Sequence, residues 1–171
     1  MLSSFEKSTY YQYVCEVYDI LKEKLPDSQI RIIPHPKIHD NLLQTDLKPH
    51  IWDGSVSEAL KDTKLMITDY SSICYNVFYQ GAGVVFYQPD VDDYERRLGK
   101  LIPKENEYIG HRALNHEELK DILLSGIDDG KIQLDRFRNE QYEEIYRTIN
   151  KYHDGKNVER IRDHLKEKNY V

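Results

Sequence analysis

At 171 residues the chain is long enough for one folded domain with its own core, and short for two. Lys and Arg number 24 against 30 Asp and Glu, a formal charge of −6, which excludes a nucleic-acid surface of the usual basic kind and makes any phosphate site a local one. Cys15 and Cys74 have no CxxC partner or metal-spaced histidine, and no apolar run nears the roughly 20 residues of a membrane helix, so two buried thiols, no disulfide or zinc site, and a soluble cytoplasmic protein are expected.

Ser3 and Ser4 offer caps for a first helix reaching about Lys24, with Tyr10, Tyr13, Val14, Val17, Tyr18, Leu21 and Leu25 recurring three and four apart. Pro26 stops it. Ile30, Ile32 and Ile33 predict a strand that runs into Pro34-His35-Pro36, where the prolines end any ladder and leave His35 at the strand's carboxyl end. A shorter strand around His50, Ile51 and Trp52 precedes a brief helix over 57–62.

The run 64–76, KLMITDYSSICYN, organises the rest. Leu65, Met66 and Ile67 show no polar alternation, which predicts a central parallel strand buried on both faces. Asp69, Ser71 and Ser72 then form a polar turn of helix-capping residue types, and Ile73, Val77 and Gln80 begin a helix over 72–80. Such a turn suits an anion, since helix amides and two hydroxyls would converge on it. Taken from spacing alone, plain capping explains these residues better.

A strand over 84–87 follows, ending at Pro89. Asp90, Asp92 and Asp93 contain a DxD, but they precede a helical stretch, so capping and solvation account for them and no metal is assigned. One further short strand is expected near Tyr108 and Ile109, then helices over 115–124, 133–152 and 157–168, the second carrying Phe137, Tyr142, Ile145 and Ile149 on one stripe. This alternation predicts an α/β fold: an open, mainly parallel sheet with helices on both faces and ligands at the carboxyl ends of the strands.

Three segments in order, RIIPHP (31–36), ITDYSS (67–72) with the strand and acidic loop after it, and DGK with ERI (154–156 and 159–161), resemble the carboxyl-terminal half of the CDP-glycerol glycerophosphotransferases, the polymerases and primases of teichoic acid synthesis. The resemblance implies a Rossmann-like half of a GT-B glycosyltransferase fold, with the active site between two such halves. It implies a CDP-polyol donor such as CDP-glycerol, whose diphosphate lies at Ser71 and Ser72 beside Asp69. It places His35, otherwise readable as a rigid strand end, near the leaving phosphate as the catalytic residue. Asn76 stands where family members often carry Asp, and Lys156 and Arg160 approach the donor, although a solvated helix face is the default for both. No cofactor is implied.

In the family a strand precedes the first helix of this half, for which residues 1–5 leave no room, and the acceptor-binding half supplies the usual general base. A single donor-binding domain over 1–171 is therefore expected, working with a separate acceptor domain or a lipid-linked acceptor, peripheral at the inner face of the membrane. The alternatives are a degenerate module that binds nucleotide or a partner without turnover, and the donor half of a nucleotide-sugar glycosyltransferase.

Overall fold

A computed structural model describes residues 3–170. Met1 and Leu2, part of the opening stretch weighed above, lie outside the described residues. The first helix, α1 (Thr9–Lys22), starts later than expected because Ser8 rather than Ser3 or Ser4 caps it, its side chain accepting from the Tyr11 amide. Ser3 instead pairs with Glu6 in a turn of its own. There follow α2 (His39–Leu42), α3 (Val56–Lys61), β1 (Leu65–Thr68), α4 (Ile73–Tyr79), β2 (Gly83–Tyr87), α5 (Val91–Leu98), β3 (His111–Ala113) and α6 (His116–Gly126). The chain continues with β4 (Ile127–Asp128), β5 (Lys131–Ile132), α7 (Leu134–Phe137), α8 (Glu140–Ile149) and α9 (Asn157–Glu167).

Three strands form a parallel sheet in the order β1-β2-β3, with Leu65 opposite Gly83 and Val85 opposite His111. The central strand is β2, all five of whose residues are buried. This corrects the expectation for β1, which is an edge strand with every residue only half-buried. An apolar run reports low polarity on both faces of a strand, and it is silent on whether both edges are paired. The two earlier strands shrink to one parallel bridge between Ile32 and Ile51. Pro34 and Pro36 deny the first segment further donors, and a 3₁₀ turn over Lys48–His50 delays the second until Ile51. The short strand expected at Tyr108 and Ile109 begins two residues later, at His111, after a buried approach.

Helices cover both faces, as an open α/β sheet requires. Val85 and Tyr87 enter one core with Ile20 of α1, Leu119 and Leu123 of α6, and Phe137. Val84 and Phe86 enter the other with Cys74 and Phe78 of α4 and Tyr146 of α8. The predicted single helix over 133–152 is therefore broken. Phe137 serves one face of the sheet while Tyr142, Ile145 and Tyr146 serve the other, and no straight stripe reaches both. Asn139 caps the second piece by accepting from the Tyr142 amide at 3.1 Å. Arg138, inside the break, donates to the carbonyls of Phe78 and Ala82 at the end of α4 and pairs with Glu143 at 2.6 Å.

The β4–β5 hairpin turns at Asp129 and Gly130, both with positive φ, a two-residue turn of the Asp-Gly kind. Gly110 is obligatory for a different reason: a Cβ there would lie 2.1 Å from the Val84 carbonyl oxygen.

Of the two thiols expected to be buried, one is and the other is not. Cys74 is buried and its thiol is pushed up to about 11 by that burial, whereas Cys15 is half-exposed. Near pH 8, a disulfide thiol reagent is expected to titrate Cys15 in the native protein and to reach Cys74 only after unfolding. Equal labelling rates without denaturant would contradict this placement.

Candidate functional site

The carboxyl end of β1 delivers the chain into an exposed turn, Asp69 to Ser72. The turn is held from below by Gln88, whose side chain is only 2% exposed. Its amide nitrogen donates to the Asp69 carbonyl at 2.8 Å, and its oxygen accepts from the Tyr108 hydroxyl at 3.1 Å and from Arg112 Nε at 2.8 Å. One buried amide thus ties the turn to β2 and β3. Beside it, Tyr70 stacks on Tyr94 of α5, with ring centroids 3.7 Å apart, and donates to Asp90 at 2.7 Å. Burial, then that hydrogen bond to a carboxylate, raises the Tyr70 phenol far above its ordinary range, so it remains a donor at any working pH. Gln88, Tyr70 and Tyr94 were not singled out as site residues from the sequence, and Asp90 was read there only as part of a capping, solvated acidic run. The available signal was Gln88-Pro89-Asp90 at the carboxyl end of a strand.

Ser72 occupies the N-cap position of α4, yet its side chain makes no capping bond, because its backbone is already helical at φ −66° and ψ −9°. An N-cap side chain reaches the second or third amide only from an extended backbone. Ser71 receives the Ile73 amide at a long 3.4 Å, and the Asp69 carboxylate accepts from the Tyr70 amide at 2.6 Å. Both serines are exposed, and capping consumes neither hydroxyl firmly.

Asn76 lies four residues beyond Ser72, on the same face of α4. It lines a groove of about 520 Å³ between α3, α4 and α8, together with Val56, Ser57, Ile73 and Tyr79. The α3 wall is fixed by a capping box between Ser55 and Glu58, and Trp52 donates its indole N–H to the Ser55 carbonyl at 2.9 Å. Val56 also lines a second hollow of about 290 Å³ with Pro34, Pro36, His39, Trp52 and Asp53. The two hollows therefore meet at one residue. His35 is exposed between the prolines that border the second. Its Nδ1 accepts from the Lys37 amide at 3.2 Å, which in the neutral ring places the proton on Nε2 and aims a free N–H outward.

Lys156 and Arg160 stand elsewhere. His153 stacks on Tyr79, centroids 4.0 Å apart, and so anchors the 153–156 turn at the carboxyl end of α4, while Ser71 and Ser72 sit at its amino end. A seven-residue helix separates them by about 10 Å. Arg160 forks onto Asp154 at 2.8 and 2.5 Å and lies 3.8 Å over the Tyr152 ring. Those hydrogen bonds hold the Asp154 carboxyl well below the usual carboxylate range. The structure thus brings Asp69, Ser71 and Ser72 together, sets Asn76 one turn along, places His35 on a neighbouring loop, and keeps Lys156 and Arg160 at the far end of the helix.

Among the described residues no group of three His, Cys, Asp or Glu side chains could hold a metal ion, and no helix is long and apolar enough to cross a membrane.

Comparison with known proteins accords with this layout. The chain is 26% identical over 169 residues to a teichoic acid poly(ribitol-phosphate) polymerase of Bacillus spizizenii, an alignment covering 94% of this chain and 25% of that protein. The chain spans about a quarter of the length of the curated relative it matches. The family model described as CDP-Glycerol:Poly(glycerophosphate) glycerophosphotransferase matches residues 3–167, and so takes in the Gln88-braced turn, both serines, the groove along α4 and the His35 loop. On that match across nearly its whole length, the chain belongs to the CDP-glycerol:poly(glycerophosphate) glycerophosphotransferase family.

Proposed function

We propose that this chain is the donor-binding half of a polyol-phosphate transferase, taking a CDP-activated polyol such as CDP-glycerol for teichoic acid or a related cell-wall polymer. The observation that carries the reading is Ser72, a serine at a helix start whose hydroxyl caps nothing, beside Ser71 in a turn braced by a buried amide. The diphosphate accepts hydrogen bonds from these two hydroxyls. The nucleoside extends along α4, where the unpartnered Asn76 carboxamide meets a sugar hydroxyl and Val56 and Ile73 give apolar wall. His35 presents Nε2–H to the departing phosphate. Asp69 shapes the turn, and Lys156 and Arg160 stand beyond the far end of α4, where Arg160's fork is already engaged by Asp154.

In the transfer, an acceptor hydroxyl oxygen attacks the β-phosphorus. The bond from that phosphorus to the bridging oxygen breaks, CMP leaves with the electron pair, and the acceptor's proton goes to a base outside this chain's site residues. Catalysis of this kind rests on positioning and charge stabilisation. An acceptor-binding domain, carried on the same or another polypeptide, completes the cleft in a GT-B arrangement.

Titration with CDP-glycerol, CDP, CMP and UDP tests the reading. A cytidine ligand at 100 times its dissociation constant is expected to add about 2.7 kcal/mol to stability, which a thermal melt resolves. The double replacement Ser71→Ala and Ser72→Ala removes two exposed donors to a charged group and is expected to weaken binding about a hundredfold or more, with the melt of the free protein unchanged. Unaltered affinity would take the serines out of the site. A folded chain indifferent to every cytidine nucleotide would instead be a module without donor binding.

A further inference from the structure

We propose that Asn150, where α8 ends, reads the base of the donor and admits cytosine over uracil. The inference rests on the donor site proposed above and concerns the end of the groove farthest from the serines. Asn150 lines that groove with Tyr79, Gln80 and Tyr146. Tyr79 and Gln80 stand about 10–12 Å along α4 from Ser72 at the helical rise. A nucleoside laid along α4 with its phosphates at the serines therefore brings its base here.

Hydrogen-bond polarity singles out Asn150. The Tyr146 hydroxyl has one proton and donates it to the Tyr75 carbonyl at 3.2 Å, a group that only accepts. The bond that the same hydroxyl oxygen receives from Asn150, also at 3.2 Å, must then come from the carboxamide nitrogen. Tyr146 is buried in the core packed on β2, so the relay is anchored, and turning the amide over would set two acceptors face to face. Among the described residues the Asn150 oxygen accepts no hydrogen bond, and no buried polar side-chain atom lacks a partner, so that oxygen stands open as a fixed acceptor. Cytosine carries an amino donor at the position where uracil carries a carbonyl oxygen, so such an acceptor pairs with the first base and opposes the second. Asn76 and Gln80 line the same groove, but neither carboxamide is tethered and each can present either of its atoms. Tyr79 supplies the surface for stacking: its ring is 40% exposed and is backed by His153 at 4.0 Å. In the second hollow the Arg31 guanidinium already lies 4.8 Å over the Trp52 ring, and the rival acceptor there is Asp53.

Calorimetric titration of the full chain with CDP and with UDP tests the assignment. The wild type is expected to bind CDP about tenfold to a hundredfold more tightly than UDP. Asn150→Ala should bring that ratio near one, chiefly by weakening CDP. Tyr146→Phe keeps the ring and unlocks the amide, and should bring the ratio down by strengthening UDP, which a mere loss of packing does not do. Asn150→Asp retains an acceptor and should retain the preference. Tyr79→Ala should weaken both ligands about tenfold and leave their ratio alone. Equal affinities in the wild type, or a ratio that Asn150→Ala and Tyr146→Phe leave unmoved, would overturn the assignment while the donor site stands. A ratio abolished by Asp53→Asn would overturn it in favour of a base seated in the second hollow. A folded chain that binds neither nucleotide would sink the donor site and this inference together.

Discussion

Phe137→Ala is expected to destabilise the protein by about 4–5 kcal/mol, the upper end for a buried phenylalanine, and to lower its melting temperature by about 10–15 °C. Phe137 is fully buried and links α7 to the sheet. Its neighbours explain why the cost should be high. A Cβ placed on Gly83 would lie 2.4 Å from the Phe137 Cβ, and one on Gly126 would lie 2.4 Å from its ring. Gly83 presses on the Cβ that alanine keeps, while Gly126 walls the ring with bare backbone and has no side chain to swing into the space, so the cavity persists and its lining loses contacts outright. Denaturant titration measures the change. A loss under about 1.5 kcal/mol would mean that the site collapses, and that Gly126 does not wall it as described.

Gln88→Leu is expected to cost about 3 kcal/mol, because it strands three polar groups at once: the Asp69 carbonyl, the Tyr108 hydroxyl and Arg112 Nε. Leucine fits the volume and satisfies none of them. The conservative Gln88→Glu separates the two halves of the role. A carboxylate still accepts from Tyr108 and Arg112, but it has no proton for Asp69 and sets an oxygen against that carbonyl. Hydrogen exchange in this variant is expected to speed up at the amides of residues 70–73 while those of β3 stay protected. Uniform acceleration, or none, would show that Gln88 is core filling and no brace for the serine turn. If the turn binds the donor diphosphate, cytidine-ligand affinity should fall in parallel with that local loosening.

Much of this molecule was legible along the chain. Helix starts and stops were marked by residues that act locally: Asn115 caps α6 by accepting from the Glu118 amide, and Pro26 follows the close of the first helix. The alternation of strand and helix from residue 64 to residue 126 carried the parallel sheet, since each element's period is written in its own side chains. The polar turn at Asp69 to Ser72 was legible for the same reason, and so was its family resemblance.

Other features depended on what lies opposite a residue, which a linear pattern does not record. Leu65 to Ile67 reads as apolar whether its strand is central or at an edge, and only pairing made β2 the centre. Phe137 and Tyr142 share a stripe on paper, but the sheet has two faces, and filling both broke the helix between them at Arg138 and Asn139. Gln88 looked like any polar residue before a proline until folding buried it beneath Asp69, with Tyr108 and Arg112 brought in from twenty and more positions away. Lys156 and Arg160 matched a motif in order, yet the stacking of His153 on Tyr79 assigned them to the far end of α4. The sequence alone determined the local elements and the chemistry each one carries, because capping, periodicity and charge act over a few residues. The tertiary structure decided which of those chemistries meet, because burial and pairing are settled between segments that no short window contains.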